Sequence, residues 1–297
     1  MEYNCSAEGI TIAVEGDKHE ARRRIAMMRF DALNCKLTDP TNGTYKPTVL
    51  ATGAAVESIT GRRALFSGVI SGRNFLSDYG LTVGHLFADV GETVRFDGDQ
   101  VGTCRAIVTS INISTKKLLT TADIAYIFLD SLKIKNGLNI CLEDDRSTQY
   151  PITILKEFIS WKDVKNVEEL KEVVVVGRDN KTKIGVLHSV YFTIKNGEEK
   201  RQLYNTLAVT NRERNCAITE DGDSGALVVY RPVGDENVLK VIGMVLGNRT
   251  QDGKSMTIVN RLWDVLDAVG NDEYWRSHLY QPGQPQFDDS DVDFVYV

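Results

Sequence analysis

Apolar and polar positions alternate over short stretches through most of this chain, the two-residue period of half-buried strands rather than the 3.6-residue period of helices. A first series of such segments covers 48–56, 64–70, 81–83, 93–96, 106–111 and 124–128. A second covers 151–154, 172–176, 184–194, 203–210, 226–230, 238–246 and 256–259. Turn residues separate them, and Asn196-Gly197 between two apolar runs predicts a hairpin. Many short strands between regular turns imply barrels or sandwiches, and two series imply two barrels. Helical patterning is confined to the margins. Asp17-Lys18-His19-Glu20 reads as a capping box, and Ala21, Ile25, Met28 and Ala32 share one face behind it. This predicts a helix over 18–34, ended by the turn-rich Asp39-Pro40-Thr41-Asn42-Gly43. Short helices are expected over 161–170, between the two series, and over 262–269, closing the second.

The expected organisation is an N-terminal helical extension (1–45), a first barrel (46–140), a second barrel with its closing helix (141–276) and a tail (277–297). A chain of 297 residues is long enough to bury a core without disulfide or metal staples. With 35 Lys and Arg against 41 Asp and Glu, the net charge is −6, which argues against sequence-independent nucleic-acid binding. The tail alone supplies Asp288, Asp289, Asp291 and Asp293 without a Lys or Arg, so the charge says little about the rest. Its end, Asp291-Val292-Asp293-Phe294-Val295-Tyr296-Val297, alternates acid and apolar residues, as a segment docking in cis or in trans would. No apolar run is long enough to span a bilayer. The five cysteines (Cys5, Cys35, Cys104, Cys141, Cys216) are odd in number and widely spaced, which fits neither a disulfide framework nor a zinc site. Together with an N-terminus lacking an apolar secretory stretch, they predict a reducing, cytoplasmic location.

Chemistry concentrates at three places. His85 follows the apolar run Leu81-Thr82-Val83-Gly84. Asp123 leads into Ile124-Ala125-Tyr126-Ile127. Ser224 lies in Gly222-Asp223-Ser224-Gly225-Ala226, ahead of another apolar run. A serine hydroxyl is a weak nucleophile and needs a base within hydrogen-bond reach; an imidazole can take its proton near neutral pH. A carboxylate such as Asp123 would fix the imidazole's tautomer and stabilise its protonated form. Glycine at 222 allows a tight turn in which the Gly222 and Ser224 amides converge on a developing oxyanion, each such donor being worth about 3 kcal/mol. There is no H-E-x-x-H, Walker loop or G-x-G-x-x-G, so neither a metal nor a cofactor is expected.

In the order His, Asp, Ser, with separations of 38 and 101 residues, these segments resemble the chymotrypsin/trypsin superfamily of serine endopeptidases. Its motifs T-A-A-H, D-I-A-L and G-D-S-G-G are similar to Thr82-Val83-Gly84-His85, Asp123-Ile124-Ala125-Tyr126 and Gly222-Asp223-Ser224-Gly225-Ala226. The resemblance covers about 46–270. It implies an all-β fold of two six-stranded antiparallel barrels with the site between them, and peptide or protein substrates. His85 would be the general base and acid, Asp123 its orienter and Ser224 the nucleophile, with the oxyanion hole at Gly222 and Ser224. By the same resemblance Ile218 stands at the base of the specificity pocket, and Leu246, Gly247 and Asn248 line the substrate strand. An isoleucine at 218 predicts an apolar or small residue before the scissile bond, because it cannot pair with Arg or Lys.

The sequence departs from the family in several places, the smallest being Ala226 for the last glycine of G-D-S-G-G. Leu86 stands where secreted members carry a disulfide cysteine. Leu246 replaces the serine that supports the triad carboxylate. No I-V-G-G segment precedes His85 to supply the amino group that normally pairs with the residue at Asp223. A basic side chain or the N-terminal segment is expected to take that role, and the enzyme to need no proteolytic activation. The competing expectation is a pseudoprotease whose cleft or N-terminal helix serves as a binding module.

Overall fold

The computed structural model describes residues 2–7, 10–15, 50, 52–71, 76–113, 118–129, 140–143, 149–152, 154–158, 172–178, 182–194, 203–211, 216–230, 238–251, 253–280 and 293–295. The helices expected over 18–34 and 161–170 and the Asn196-Gly197 turn lie outside these residues.

Strands dominate. β1 (Glu2–Ala7) and β2 (Ile10–Glu15) form an antiparallel pair. Next come β3 (Ala55–Ser58), β4 (Arg63–Leu65), β5 (Gly68–Ser71), β6 (Tyr79–Val83), β7 (Thr93–Phe96), β8 (Asp99–Ile113) and β9 (Leu118–Leu129). A second antiparallel pair, β10 (Ile140–Glu143) and β11 (Gln149–Ile152), leads to the next series. This comprises β12 (Ile154–Phe158), β13 (Glu172–Val176), β14 (Thr182–Ile194), β15 (Leu203–Asn211), β16 (Leu227–Tyr230), β17 (Val238–Gln251) and β18 (Lys254–Val259). Helices α1 (Leu262–Asn271) and α2 (Glu273–Leu279) follow, then β19 (Asp293–Val295).

The C-terminal sheet runs β12-β17-β16-β13-β14-β15-β18, and β17 also pairs with β18. Six antiparallel strands therefore close into a barrel, with β12 added outside in parallel to β17. Among the described residues the N-terminal sheet has eight strands, β19-β5-β6-β9-β8-β7-β3-β4, and its ladders do not close. This corrects the expectation of two closed six-stranded barrels. The run 64–70 reads as one strand but breaks at Phe66 and Ser67. Bonding continues through the break, with Phe66 N donating to Ala54 O and Ser67 N to Leu81 O, both at 2.8 Å, while the Leu65 N–H of β4 donates to the Ser224 carbonyl at 2.7 Å. The edge left on β5 is paired by β19, with Phe294 opposite Ile70.

Two apolar clusters hold the fold, the larger running from the N-terminal sheet onto α1 and onto Val176, Leu227 and Met244 of the C-terminal sheet. Phe66, Ile70, Leu81, Ile124 and Ile127 are fully buried in the first, where Tyr79 meets Tyr126 edge-on at 6.0 Å. Val173, Val175, Leu207, Val228, Ile242 and Val259 fill the second. At about 1.5–3 kcal/mol for each fully buried large aliphatic side chain, these clusters provide the main drive for folding. Leu65, on the first sheet, packs into the second core and so locks the two together. Leu262, Val265, Leu266 and Val269 fall on one face of α1, as the 3.6-residue period requires, and are buried. Asp272 caps α2 by accepting from the Trp275 N–H at 3.2 Å. No helix among the described residues is long and apolar enough to cross a membrane.

Candidate active site

His85 is held by the end of a buried strand. All five residues of β6 are buried, and the chain then makes a single 3₁₀ turn, Gly84–Leu86, anchored by buried Leu86 and Phe87. Between these anchors His85 is left partly exposed. Gly84 has a specific role in this turn: a Cβ there would lie 3.1 Å from Asp123 Oδ1 and 3.0 Å from Ile107. Its absence allows the carboxylate to come close.

Asp123 reaches His85 from a bulge in β9. Val108 pairs with Ile124 and Ser110 with Thr121, so β9 carries one residue more than β8 across this interval. Asp123 there has φ +45°, in the left-handed region that non-glycine residues rarely occupy. Its Oδ1 accepts the His85 backbone N–H at 2.8 Å, and its Oδ2 pairs with His85 Nδ1 at 2.6 Å. With Nδ1–H directed at the carboxylate, Nε2 is free to act as a base.

Ser224 sits on the opposite side of the seam, in the turn before β16. Its carbonyl accepts from Leu65 N, and the Leu65 carbonyl in turn accepts from Thr82 Oγ1 at 2.8 Å, three residues before His85. Its hydroxyl donates to the Leu246 carbonyl at 3.2 Å. No hydrogen bond joins it to His85 among the described residues, so the structure pairs two of the three expected triad side chains with each other and holds the third apart. Gly225 (φ +92°) makes the close crossing possible, because a Cβ on it would stand 2.1 Å from the Leu65 carbonyl oxygen.

The backbone around the serine is selective in its bonding. Asp223 N donates to Glu220 O at 3.1 Å and Gly225 N to Val245 O at 2.8 Å. The intervening Ser224 N–H and that of Gly222 (φ +92°) have no acceptor among the described residues. Unpaired N–H donors are what a developing oxyanion requires.

Asp223, buried behind this loop, accepts from Glu220 N at 3.0 Å and lies 3.4 Å from Lys183 Nζ, on β14. Lys183 also reaches Glu220 at 3.4 Å. Sequence reading left this partner open between a basic side chain and the N-terminal segment.

The remaining expected residues are placed less simply. Ile218 is buried in the second core, 3.0 Å from where a Cβ on Gly185 would stand, and packs there as an apolar anchor. Its neighbour Thr219 carries the polar chemistry. Thr219 Oγ1 donates to Asn248 Oδ1 at 2.7 Å, Asn248 Nδ2 donates to the Thr219 carbonyl at 2.6 Å, and Thr257 Oγ1 bonds to both side chains. Gly247, between Leu246 and Asn248, is glycine with φ +141°; a Cβ on it would stand 3.7 Å from Ser224 Oγ. Thr219, Thr257 and Lys183 were not singled out from sequence. A separate cavity of about 390 Å³, lined by Leu76, Tyr79, Val90, Cys104 and Phe128 among others, contains none of these residues.

No protein-family model matches the chain, and no curated protein is significantly similar to it. Solved structures are. Thermobifida fusca protease A is 14% identical, with 73% of this chain and 94% of that one covered and a TM-score of 0.47. A Nocardiopsis protease is 13% identical, with 73% and 95% covered and a TM-score of 0.47. Cellulomonas bogoriensis chymotrypsin is 14% identical, with 74% and 96% covered, at 0.47. The proteins to which this structure is similar are thus serine proteases of the chymotrypsin/trypsin-like kind.

Proposed function

We propose that this chain is a serine endopeptidase acting through His85, Asp123 and Ser224. The observation that carries the reading is the doubly bonded carboxylate of Asp123, which fixes both the backbone and the ring of His85. On this reading the Ser224 hydroxyl leaves the Leu246 carbonyl when substrate arrives and attacks the scissile carbonyl carbon while His85 Nε2 takes its proton. The tetrahedral oxyanion is received by the Gly222 and Ser224 N–H groups. His85 then protonates the departing amine, and water attacks the acyl-enzyme by the reverse path, regenerating the serine. Hydrogen bonds of this kind commonly tighten only once substrate is bound. A fluorophosphonate probe should label Ser224 in the full-length protein and not the Ser224→Ala variant, and only the former should cleave a peptide library. Absence of both activities in folded protein would sink the reading.

The enzyme is further proposed to need no activating cleavage, because Lys183 already occupies the cationic place beside Asp223. Full-length protein that stays inert until clipped near residue 45 would refute this. Substrates are proposed to present an uncharged small or apolar residue before the scissile bond, since the side chains of Thr219, Asn248 and Thr257 carry no charge and Ile218 behind them is apolar. Cleavage only after Arg or Lys would contradict it. The free thiols of Cys104 and Cys216 support a reducing, cytoplasmic setting, which a fluorescent fusion would test. A second reading, a pseudoprotease that binds peptides without cutting them, is favoured by one observation: the Ser224 hydroxyl bonds to Leu246 rather than His85. Peptide binding by wild type without probe labelling would select it.

A further inference from the structure

Asp123 poses a structural problem. It holds a left-handed backbone (φ +45°) without being glycine, at a strand bulge, and such a conformation persists only where neighbours over-determine it. Its carboxylate cannot do so alone. Both oxygens are bonded to His85, and the described residues offer it no third partner.

The backbone just before Asp123 is held from the other barrel. Asn260, completely buried, donates from Nδ2 to the Ala122 carbonyl at 2.8 Å, across 138 residues of sequence. Its Oδ1 accepts from Met244 N at 2.9 Å, and its own backbone N–H donates to Met244 O at 2.9 Å. The amide orientation follows from these partners: the oxygen must face the Met244 N–H, so the NH₂ must face the Ala122 carbonyl. Gly243 makes room for this doubly bonded asparagine, since a Cβ there would stand 1.9 Å from the Asn260 carbonyl oxygen.

The same short stretch of β17 also holds the nucleophile. Val245 O accepts from Gly225 N, Val245 N donates to Ala226 O, and Leu246 O accepts from Ser224 Oγ. One rigid segment, 244–246, thus fixes the serine loop directly and the Asp123 peptide through Asn260. We propose that Asn260 is the positioning residue that sets Asp123, and hence His85, in register with Ser224. The inference rests on the protease reading for its catalytic consequence but not for its geometry.

The test uses full-length protein. In Asn260→Ala, kcat should fall by about 10- to 100-fold with KM within about twofold, as expected when reacting groups are displaced by an ångström or less. Asn260→Asp, which keeps the acceptor for Met244 N and the shape but loses the donor to Ala122, should show the same loss. It decides the matter if the alanine variant does not fold. In an Asp123→Asn background, replacing Asn260 should change kcat by less than about twofold, because the carboxylate it positions is already gone. As a control, Asn205→Gly keeps the positive φ at that position (+51°) and removes another tie to β9, from Asn205 Nδ2 to Thr120 Oγ1 at 3.5 Å; it should leave kcat near wild type. A readout independent of activity is the far-downfield proton resonance of His85 Nδ1–H against Asp123, expected in wild type and lost or shifted in both Asn260 variants. If wild type cleaves nothing yet shows that resonance and the variants lose it, the positioning stands and the protease reading falls. Unchanged kcat and resonance in a folded Asn260 variant, equal losses with and without the Asp123 carboxylate, or no such resonance in wild type would overturn the proposal.

Discussion

Replacing Lys183 by methionine is the sharpest test of whether that lysine orders the Ser224 loop, as the proposed activation-free enzyme requires. Lys183 Nζ stands 3.4 Å from Asp223 Oδ2, a pair worth about 5 kcal/mol if two unit charges interact through an effective dielectric of about 20. That figure is a ceiling. The Lys183 side chain is 36% exposed and keeps much of its hydration, so about 1–2 kcal/mol survives as ordering free energy. Asp223 also retains its bond from Glu220 N, so the loop should loosen rather than collapse. Each 1.4 kcal/mol is tenfold in rate, which predicts a loss of about 5- to 30-fold in kcat/KM for Lys183→Met. Lys183→Arg should recover most of it. Glu220→Gln should matter less, because that carboxylate is 84% exposed. High salt should bring wild type down toward the methionine variant and barely move the variant itself. The assay is steady-state hydrolysis of one peptide, with the rate of fluorophosphonate labelling as a second measure. A Lys183→Met protein within twofold of wild type, beside an inactive Asp223→Ala, would refute the reasoning. Asp223 would then matter, but not through this lysine.

Other consequences are simpler. Gly225→Ala combines a φ of +92° with a Cβ placed 2.1 Å from the Leu65 carbonyl oxygen, and should cost roughly 2–5 kcal/mol in urea unfolding; near-wild-type stability would mean that β4 can retreat freely. Ser67→Ala removes a buried 2.6 Å bond to the Gly225 carbonyl and should cost about 1–2 kcal/mol, read by the same unfolding curves. Burial, aided by nearby Glu92, pushes the Cys104 thiol up from 9.0 to about 12. The folded state therefore keeps a proton that the unfolded chain releases above pH 9. Stability should fall as pH rises from 9 toward 12, and Cys104→Ala should flatten that fall by about 1.4 kcal/mol per pH unit. Deleting 281–297 removes β19 and bares the β5 edge, so faster aggregation is expected at unchanged kcat; a raised kcat would point to the tail as an inhibitor.

The three chemical segments were legible because each announces itself locally: a histidine closing an apolar run, an aspartate before one, a serine among glycines. The second barrel was legible for the same reason, its apolar runs coinciding with β13, β14, β15, β16, β17 and β18 to within a few residues or one overlong end. The first was misread where sequence texture and hydrogen bonding part company. Residues 64–70 are continuously strand-like, yet the segment changes partner at 66–67, from Ala54 beside β3 to Leu81 on β6, while Leu65 packs in the second core and bonds to Ser224. Ile218 was placed by counting back from the serine. Its apolar side chain goes to the core, and the hydroxyl one residue later takes the polar position. Lys183 and Asn260 left no trace, because their partners are 40 and 138 residues away and are defined only once strand registers are set. Asp123 shows the limit most clearly. Nothing in Thr121-Ala122-Asp123-Ile124 flags a positive φ, since no glycine is present to accept one. The conformation is imposed from outside, by a carbonyl bonded to an asparagine on the other barrel and a carboxylate bonded twice to a histidine. An aspartate can therefore be singled out from its neighbours in sequence, while the geometry that would make it effective is written in residues that only the fold brings to it.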